Sequence, residues 1–197
     1  MTIAHRTFET YDDYLYRQGG KARGQRETLL AHLPKHIESF ARTFARAAHA
    51  LTAGPVLCLG ARTGAESLGA TQAGFAGSIG IDIHPVGPTV LRADWHELPF
   101  AAGQFANVYS NSLDHCLYLD RLTAEVTRVL VPDGRFYVMA TNRDGHTLEA
   151  WIEKGGNEAM YWQTSDDLRD AICAHGFDVV KAWRDGKWGH YVFWARR

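Results

Sequence analysis

The stretch Pro55-Val56-Leu57-Cys58-Leu59-Gly60-Ala61-Arg62-Thr63-Gly64-Ala65-Glu66 constrains the fold more than any other part of the chain. A short apolar run, of a length that suits a buried strand, meets a glycine, bends, and leaves through a second glycine into a helix. Gly60 permits a sharp turn at the strand's carboxyl end, and Gly64 lets the helix start lie close to the sheet or to a ligand. Arg62 stands where a dinucleotide fingerprint needs glycine, because there the backbone must approach a pyrophosphate. Glu66 adds a carboxylate in the first helical turn. The turn therefore suits a nucleoside ligand without phosphates, and it disfavours a nicotinamide oxidoreductase.

The downstream order supports a nucleoside site. Ser78 to Ile83 reads as a second strand, and Asp82 lies about 20 residues past Gly60, the interval at which an acidic side chain can accept ribose hydroxyls. Its alternative is a loop aspartate capping a turn. Thr89 to Ala93 is a third strand, followed by Asp94 and Trp95, which could meet an adenine amino group and frame the ring. Phe105 to Ser110 is a fourth strand leading into Asn111-Ser112-Leu113-Asp114-His115. Asp120 reads as the N-cap of a helix that buries Leu122, Val126, Val129 and Leu130 and stops at Pro132-Asp133-Gly134. Arg135 to Thr141 is a fifth strand. Thr164 with Asp167 resembles a helix start, Gly176 its end, and Asp185-Gly186 a hairpin turn between Val179–Trp183 and Tyr191–Trp194.

Upstream, Leu29, Leu33, Ile37, Phe40, Phe44, Ala48 and Leu51 form one helical stripe. Pro34 interrupts it and is tolerated only in a first turn, so the stripe divides into a short helix ending near Leu33 and a longer one running to about Leu51. The arm over residues 5–26 is dense in tyrosine and charge; it is either a packed surface arm or a lid.

Taken together, the 57–64 turn, Ile81-Asp82, the Ala93-to-Phe100 run, the Phe105-to-His115 strand and loop, and Arg128-to-Phe136 resemble the class I S-adenosylmethionine (SAM)-dependent methyltransferases of the small "type 11" kind, over about residues 50–197. The resemblance implies a Rossmann-like α/β fold: a seven-stranded, mostly parallel sheet with helices on both faces and a C-terminal antiparallel hairpin strand. The length of 197 residues suits one domain over residues 1–197, with 1–54 as an N-terminal helical arm or lid and 55–197 as the core. The resemblance also implies SAM as cofactor, held by Gly60, Ala61, Arg62, Gly64, Glu66, Asp82, Ile83, Asp94, Trp95, Ser110 and Asn111. Two positions depart from the family pattern. Cys58 replaces an acidic residue in the first strand, and Arg62 replaces the middle glycine; Glu66 is then expected to receive the methionine amino group, and Arg62 to pair with the methionine carboxylate or with Glu66.

His115 is the candidate base and Asp114 a second catalytic candidate. Tyr14, Tyr118 and His146, with Asn142, Trp151 and Trp162, are placed by position near an acceptor. A small molecule is the expected acceptor, because 21 basic and 22 acidic residues give a net charge of −1 and no bias toward nucleic acid or anionic lipid. The alternatives are a non-catalytic SAM-binding or SAM-sensing domain, or a SAM-using enzyme with another reaction. No apolar run approaches bilayer length and no secretory signal opens the chain, so a cytoplasmic location is expected. Cys58, Cys116 and Cys173 have no metal or redox spacing, and no metal is expected. Asp114 and Asp144 are too few for a metal-assisted acceptor site. Both monomer and homodimer stay open.

Overall fold

The structure, a computed structural model, describes residues 3–24, 26–143 and 145–196. Asp144 lies outside the described residues. The chain opens with β1 (Ile3–His5), α1 (Tyr11–Gly24) and α2 (Arg26–Ala31). Helix α3 (Leu33–Ala47) follows with Pro34 in its first turn, as the interrupted stripe requires. Next come β2 (Val56–Leu59), α4 (Ala65–Gln72), β3 (Ile79–Asp82), β4 (Val90–Arg92) and β5 (Phe105–Ser110). Helix α5 (Leu119–Val129) leads directly into β6 (Leu130–Thr141), and α6 (Leu148–Lys154) is followed by β7 (Met160–Trp162). Helix α7 (Ser165–Ala174) carries the capping box Thr164–Asp167, and β8 (Phe177–Asp185) and β9 (Trp188–Ala195) close the chain as the expected hairpin.

Seven strands form one sheet in the order β4-β3-β2-β5-β6-β9-β8, and all but β9 run in one direction. Alternation along β2 assigns the two faces. Val56 and Cys58 join Phe44, Ala70, Tyr109 and Tyr137 beneath α3 and α4, whereas Leu57 and Leu59 join Leu122, Val126, Leu168 and Ile172 of α5 and α7. Helices α3 and α4 cross closely because Gly69 has no Cβ: one built there would lie 2.6 Å from the Phe40 Cβ. The strand order reverses at β2 and β5, and in such sheets the crevice at the carboxyl ends is where ligands bind.

Two local expectations need correction. Helix α5 begins at Leu119 behind Tyr118, so Asp120 sits in the first turn and is not its N-cap. Strand β6 begins at Leu130 instead of Arg135: Pro132-Asp133-Gly134 is absorbed as an irregularity, Phe105 pairing with Leu130 and Asn107 with Arg135. The tyrosine-rich arm forms helix α1, in keeping with a helical arm, and the strand before it pairs antiparallel with β7 as a second, two-stranded sheet.

Candidate functional site: a cavity at the strand-order reversal

The loops after four parallel strands converge on an open cavity of about 240 Å³. Gly60, Ala61, Arg62 and Thr63 enter from the end of β2, Glu66 from α4, Asp82 and Ile83 from β3, Ala93 and Trp95 from β4, and Asn111, Ser112 and His115 from β5. Its outer wall is helical: Tyr14 and Gln18 of α1, Leu29 of α2 and His36 of α3. Gly60 and Gly64 both have positive φ, 71° and 86°. A Cβ on Gly60 would meet Ser112 at 3.0 Å and the Trp95 ring at 3.1 Å, so the glycine lets three loops share one point.

The backbone presets the acidic side chains. The Arg62 N–H donates to one Asp82 carboxylate oxygen at 3.1 Å and the His84 N–H to the other at 2.7 Å, which fixes the carboxylate at the cavity wall with acceptor capacity to spare. Glu66 is buried, and its Oε2 has no hydrogen-bond partner; the Arg62 Nε and Trp95 Nε1 are likewise buried and unpartnered. All three belong to residues lining the cavity. Burial pushes the Glu66 carboxyl up to about 7, helped by the Asp82 carboxylate and opposed by a backbone hydrogen bond and Arg62. Cys58, below Glu66 in the first strand, is held as a thiol by burial.

The profile of the methyltransferase-domain family matches residues 57–138, the span from β2 into β6. Over residues 57–138 the chain is similar to a methyltransferase domain, and its fold is that of SAM-dependent methyltransferases of known structure. Among solved structures, the 1,6-didemethyltoxoflavin-N1-methyltransferase of Burkholderia thailandensis, with its substrate and S-adenosylhomocysteine (SAH) bound, is similar at a TM-score of 0.65 and 16% identity over 99% of this chain and 95% of that one. A SAM-dependent methyltransferase of Thermotoga maritima, described as a possible histamine N-methyltransferase, is similar at a TM-score of 0.63 and 18% identity over 90% and 98%. A methyltransferase in complex with the Trm112 methyltransferase activator of Haloferax volcanii is similar at 0.62 and 17% over 87% and 97%. No curated protein matches in sequence.

The cavity suits SAM as a cofactor. Unpartnered Glu66 and Arg62 atoms offer opposite charges to an amino-acid zwitterion, Asp82 offers acceptors for hydroxyls, and Trp95 offers an aromatic wall. Eight of the eleven residues expected around the cofactor line it: Gly60, Ala61, Arg62, Glu66, Asp82, Ile83, Trp95 and Asn111. The other three lie behind it. Gly64 is the N-cap of α4, and Ser110 is buried, accepting the Ser112 N–H at 3.2 Å. The Asp94 carboxylate is taken by Tyr11 and His96.

His115 lines the cavity, and its Nδ1 lies 3.0 Å from the Asn157 carbonyl. Asp114 is not in the lining; its carbonyl accepts the Ala159 N–H. Of the acceptor candidates only Tyr14 lines the cavity. Tyr118 stacks on Tyr11 at a separate cleft, and His146 is exposed, its carbonyl accepting from the Tyr161 hydroxyl. Asn142 accepts the Ser165 N–H, while the Trp151 and Trp162 indoles donate to Glu158 and the Thr141 carbonyl. Gln18, Leu29, His36, Thr63 and Ser112 are lining residues that sequence reasoning did not assign. The spacing of Tyr11, Tyr14, Leu15 and Gln18 at three and four is the helical signal that points to the first of them. Among the described residues, no His, Cys, Asp and Glu side chains cluster to hold a metal ion, and no helix is long and apolar enough to cross a membrane.

Proposed function

We propose that this protein moves a methyl group from SAM to a protonated nitrogen or oxygen of a small molecule, with His115 as general base. The observation that carries this reading is the His115 environment. The Asn157 carbonyl can only accept, so the neutral ring keeps its proton on Nδ1, leaving Nε2 as the proton acceptor on a residue of the cavity wall. SAM, when bound, supplies an electrophilic methyl carbon whose bond to sulfur breaks as the bond to the acceptor forms. In this reading Asp82 holds the ribose, Ile83, Ala93 and Trp95 enclose the adenine, and Glu66 and Arg62 take the methionine ammonium and carboxylate. Tyr14, Gln18 and Leu29 exclude water and hold the acceptor in line, which is the main demand of a direct displacement. The acceptor's proton passes to His115 Nε2 and then to solvent.

A small acceptor agrees with the near-zero net charge. It also agrees with the relatives named as acting on didemethyltoxoflavin at N1 and, as a possibility, on histamine, both nitrogen compounds. The test is a labelled-methyl assay with pooled azoles, amines and phenols, after thermal shifts with SAM, SAH and NAD. Stabilisation by SAM and SAH, transfer to an N–H or O–H acceptor, and a kcat about 10² to 10⁴ lower in His115→Gln with SAM affinity retained are the expected results. Stabilisation by NAD alone, or undiminished kcat in His115→Gln, overturns the reading.

A further inference from the structure

Asp94 is the residue that family resemblance assigns to adenine, yet its carboxylate is turned to another use. Tyr11, the first residue of α1, donates its hydroxyl to Asp94 Oδ2. Asp94 Oδ1 accepts both the His96 backbone N–H at 2.8 Å and the His96 ring at Nδ1, 2.9 Å away. The His96 tautomer follows from its other nitrogen: Nε2 lies 3.2 Å from the Tyr118 N–H, which can only donate, so the ring proton sits on Nδ1 and faces Asp94. Three donors thus converge on one carboxylate, and Asp94 is not among the residues lining the cavity.

What this carboxylate holds is the wall of the cavity. One turn beyond Tyr11 on α1, Tyr14 lines the cavity and donates to the His115 carbonyl at 2.9 Å; Gln18, a further turn on, lines it and donates to the Asn157 carbonyl at 2.7 Å. The Leu15 carbonyl accepts from His84 Nε2 at 2.8 Å. These other ties are hydrogen bonds to neutral backbone carbonyls, whereas the Tyr11 tie is made to a carboxylate and is the stronger kind.

We infer that Tyr11, Asp94 and His96 form the latch that closes α1 over the SAM pocket, and that Asp94 serves as this latch instead of reading the adenine amino group. The inference rests on the cofactor reading of the cavity. Opening the latch swings Tyr14 and Gln18 off the mouth together, so ligand release passes through its rupture.

The experiment uses the full chain, SAH, and S-inosylhomocysteine, in which a carbonyl replaces the 6-amino group of SAH. Tyr11→Phe keeps the ring contacts and removes the hydroxyl; Asp94→Asn removes the charge. In ligand-free protein, Tyr11→Phe is expected to raise amide hydrogen exchange across residues 11–24. Each variant is expected to speed SAH dissociation about tenfold or more, the size expected for losing a hydrogen bond to a charged group. The double variant should be no faster than the faster single one, because both break the same tie. The preference for SAH over S-inosylhomocysteine should be the same in Asp94→Asn as in the wild type. Unchanged exchange in Tyr11→Phe, or loss of the SAH preference in Asp94→Asn with unaltered dissociation in Tyr11→Phe, overturns the latch. If the wild type binds no SAH, the cofactor reading fails, and the exchange measurement still decides the latch.

Discussion

Glu66 is buried in the cavity wall and Arg62 half-buried in the same wall, yet each leaves a buried polar atom without a partner in the protein. A buried polar group without a partner costs about 1–3 kcal/mol, more when charged, and such a cost persists where a ligand repays it. Cys58 sharpens the point: the strand position where the family carries an acid holds a buried thiol, and the carboxylate is found one loop later on α4. Glu66→Gln keeps the shape and removes the charge that would face an ammonium. Its SAH dissociation constant at pH 7.5 is expected to rise about 10- to 100-fold, the range for a hydrogen bond to a charged group. Arg62→Ala should weaken SAH by a comparable factor through the carboxylate end. Isothermal titration calorimetry decides both, and wild-type affinity in either variant removes that residue from the methionine site.

Helices α3 and α4 touch at a place where two effects of one substitution oppose each other. Gly69→Ala improves helix propensity by about 1 kcal/mol. It also puts a methyl group 2.6 Å from the Phe40 Cβ, 2.8 Å from the Ala41 nitrogen and 2.9 Å from the Ile37 carbonyl oxygen. Two of those atoms are backbone and cannot rotate away, so overpacking, at about 1–3 kcal/mol, wins. A lower urea midpoint with unchanged slope is expected for Gly69→Ala, and a higher midpoint would show that the helices separate without cost. Elements of this kind, built on local signals, are the ones legible in the sequence. Strand β5, the hairpin at Asp185-Gly186, the Pro34 break and the Thr164–Asp167 capping box each carry their cause within a few residues. Strands β1 and β7 do not: Ile3 pairs with Trp162, and no local pattern encodes a partner so distant in the chain. Pro132-Asp133-Gly134 carries a turn signal that the pairing of β5 with β6 overrides. Within the cavity lining, Gly60 and Asp82 were legible from the strand–turn–helix spacing, and Trp95 from its place just after the next strand. The Asp94 carboxylate was not, because what binds it is Tyr11, brought over from a helix 83 residues away.

At the scale of the molecule, the sheet's order reversal, the helical wall and the buried Glu66 join binding to pH. The Glu66 carboxyl titrates at about 7 in the folded protein, against about 4.3 in an unfolded chain. Between those values the folded state holds a proton that the unfolded state has released, so this group's contribution to stability falls as pH rises through that interval and levels off above 7. Bound SAH reverses the sign, since an ammonium beside Glu66 favours the carboxylate and binding then releases the proton. Affinity should therefore climb with pH up to about 7, with a limiting slope of roughly tenfold per unit, and stay level above that until the ligand's own amino group loses its charge. The rise in unfolding temperature produced by saturating SAH is expected to be larger at pH 7.5 than at pH 5.5. Other carboxylates and histidines contribute to both curves, so the decisive quantity is the difference between wild type and Glu66→Gln. The variant should lose most of the increase in SAH stabilisation between pH 5.5 and 7.5, and its ligand-free form should no longer carry the Glu66 penalty at the higher pH. Parallel profiles for the two proteins would mean that the methionine ammonium is not held by Glu66 and that the carboxylate's burial serves the fold alone.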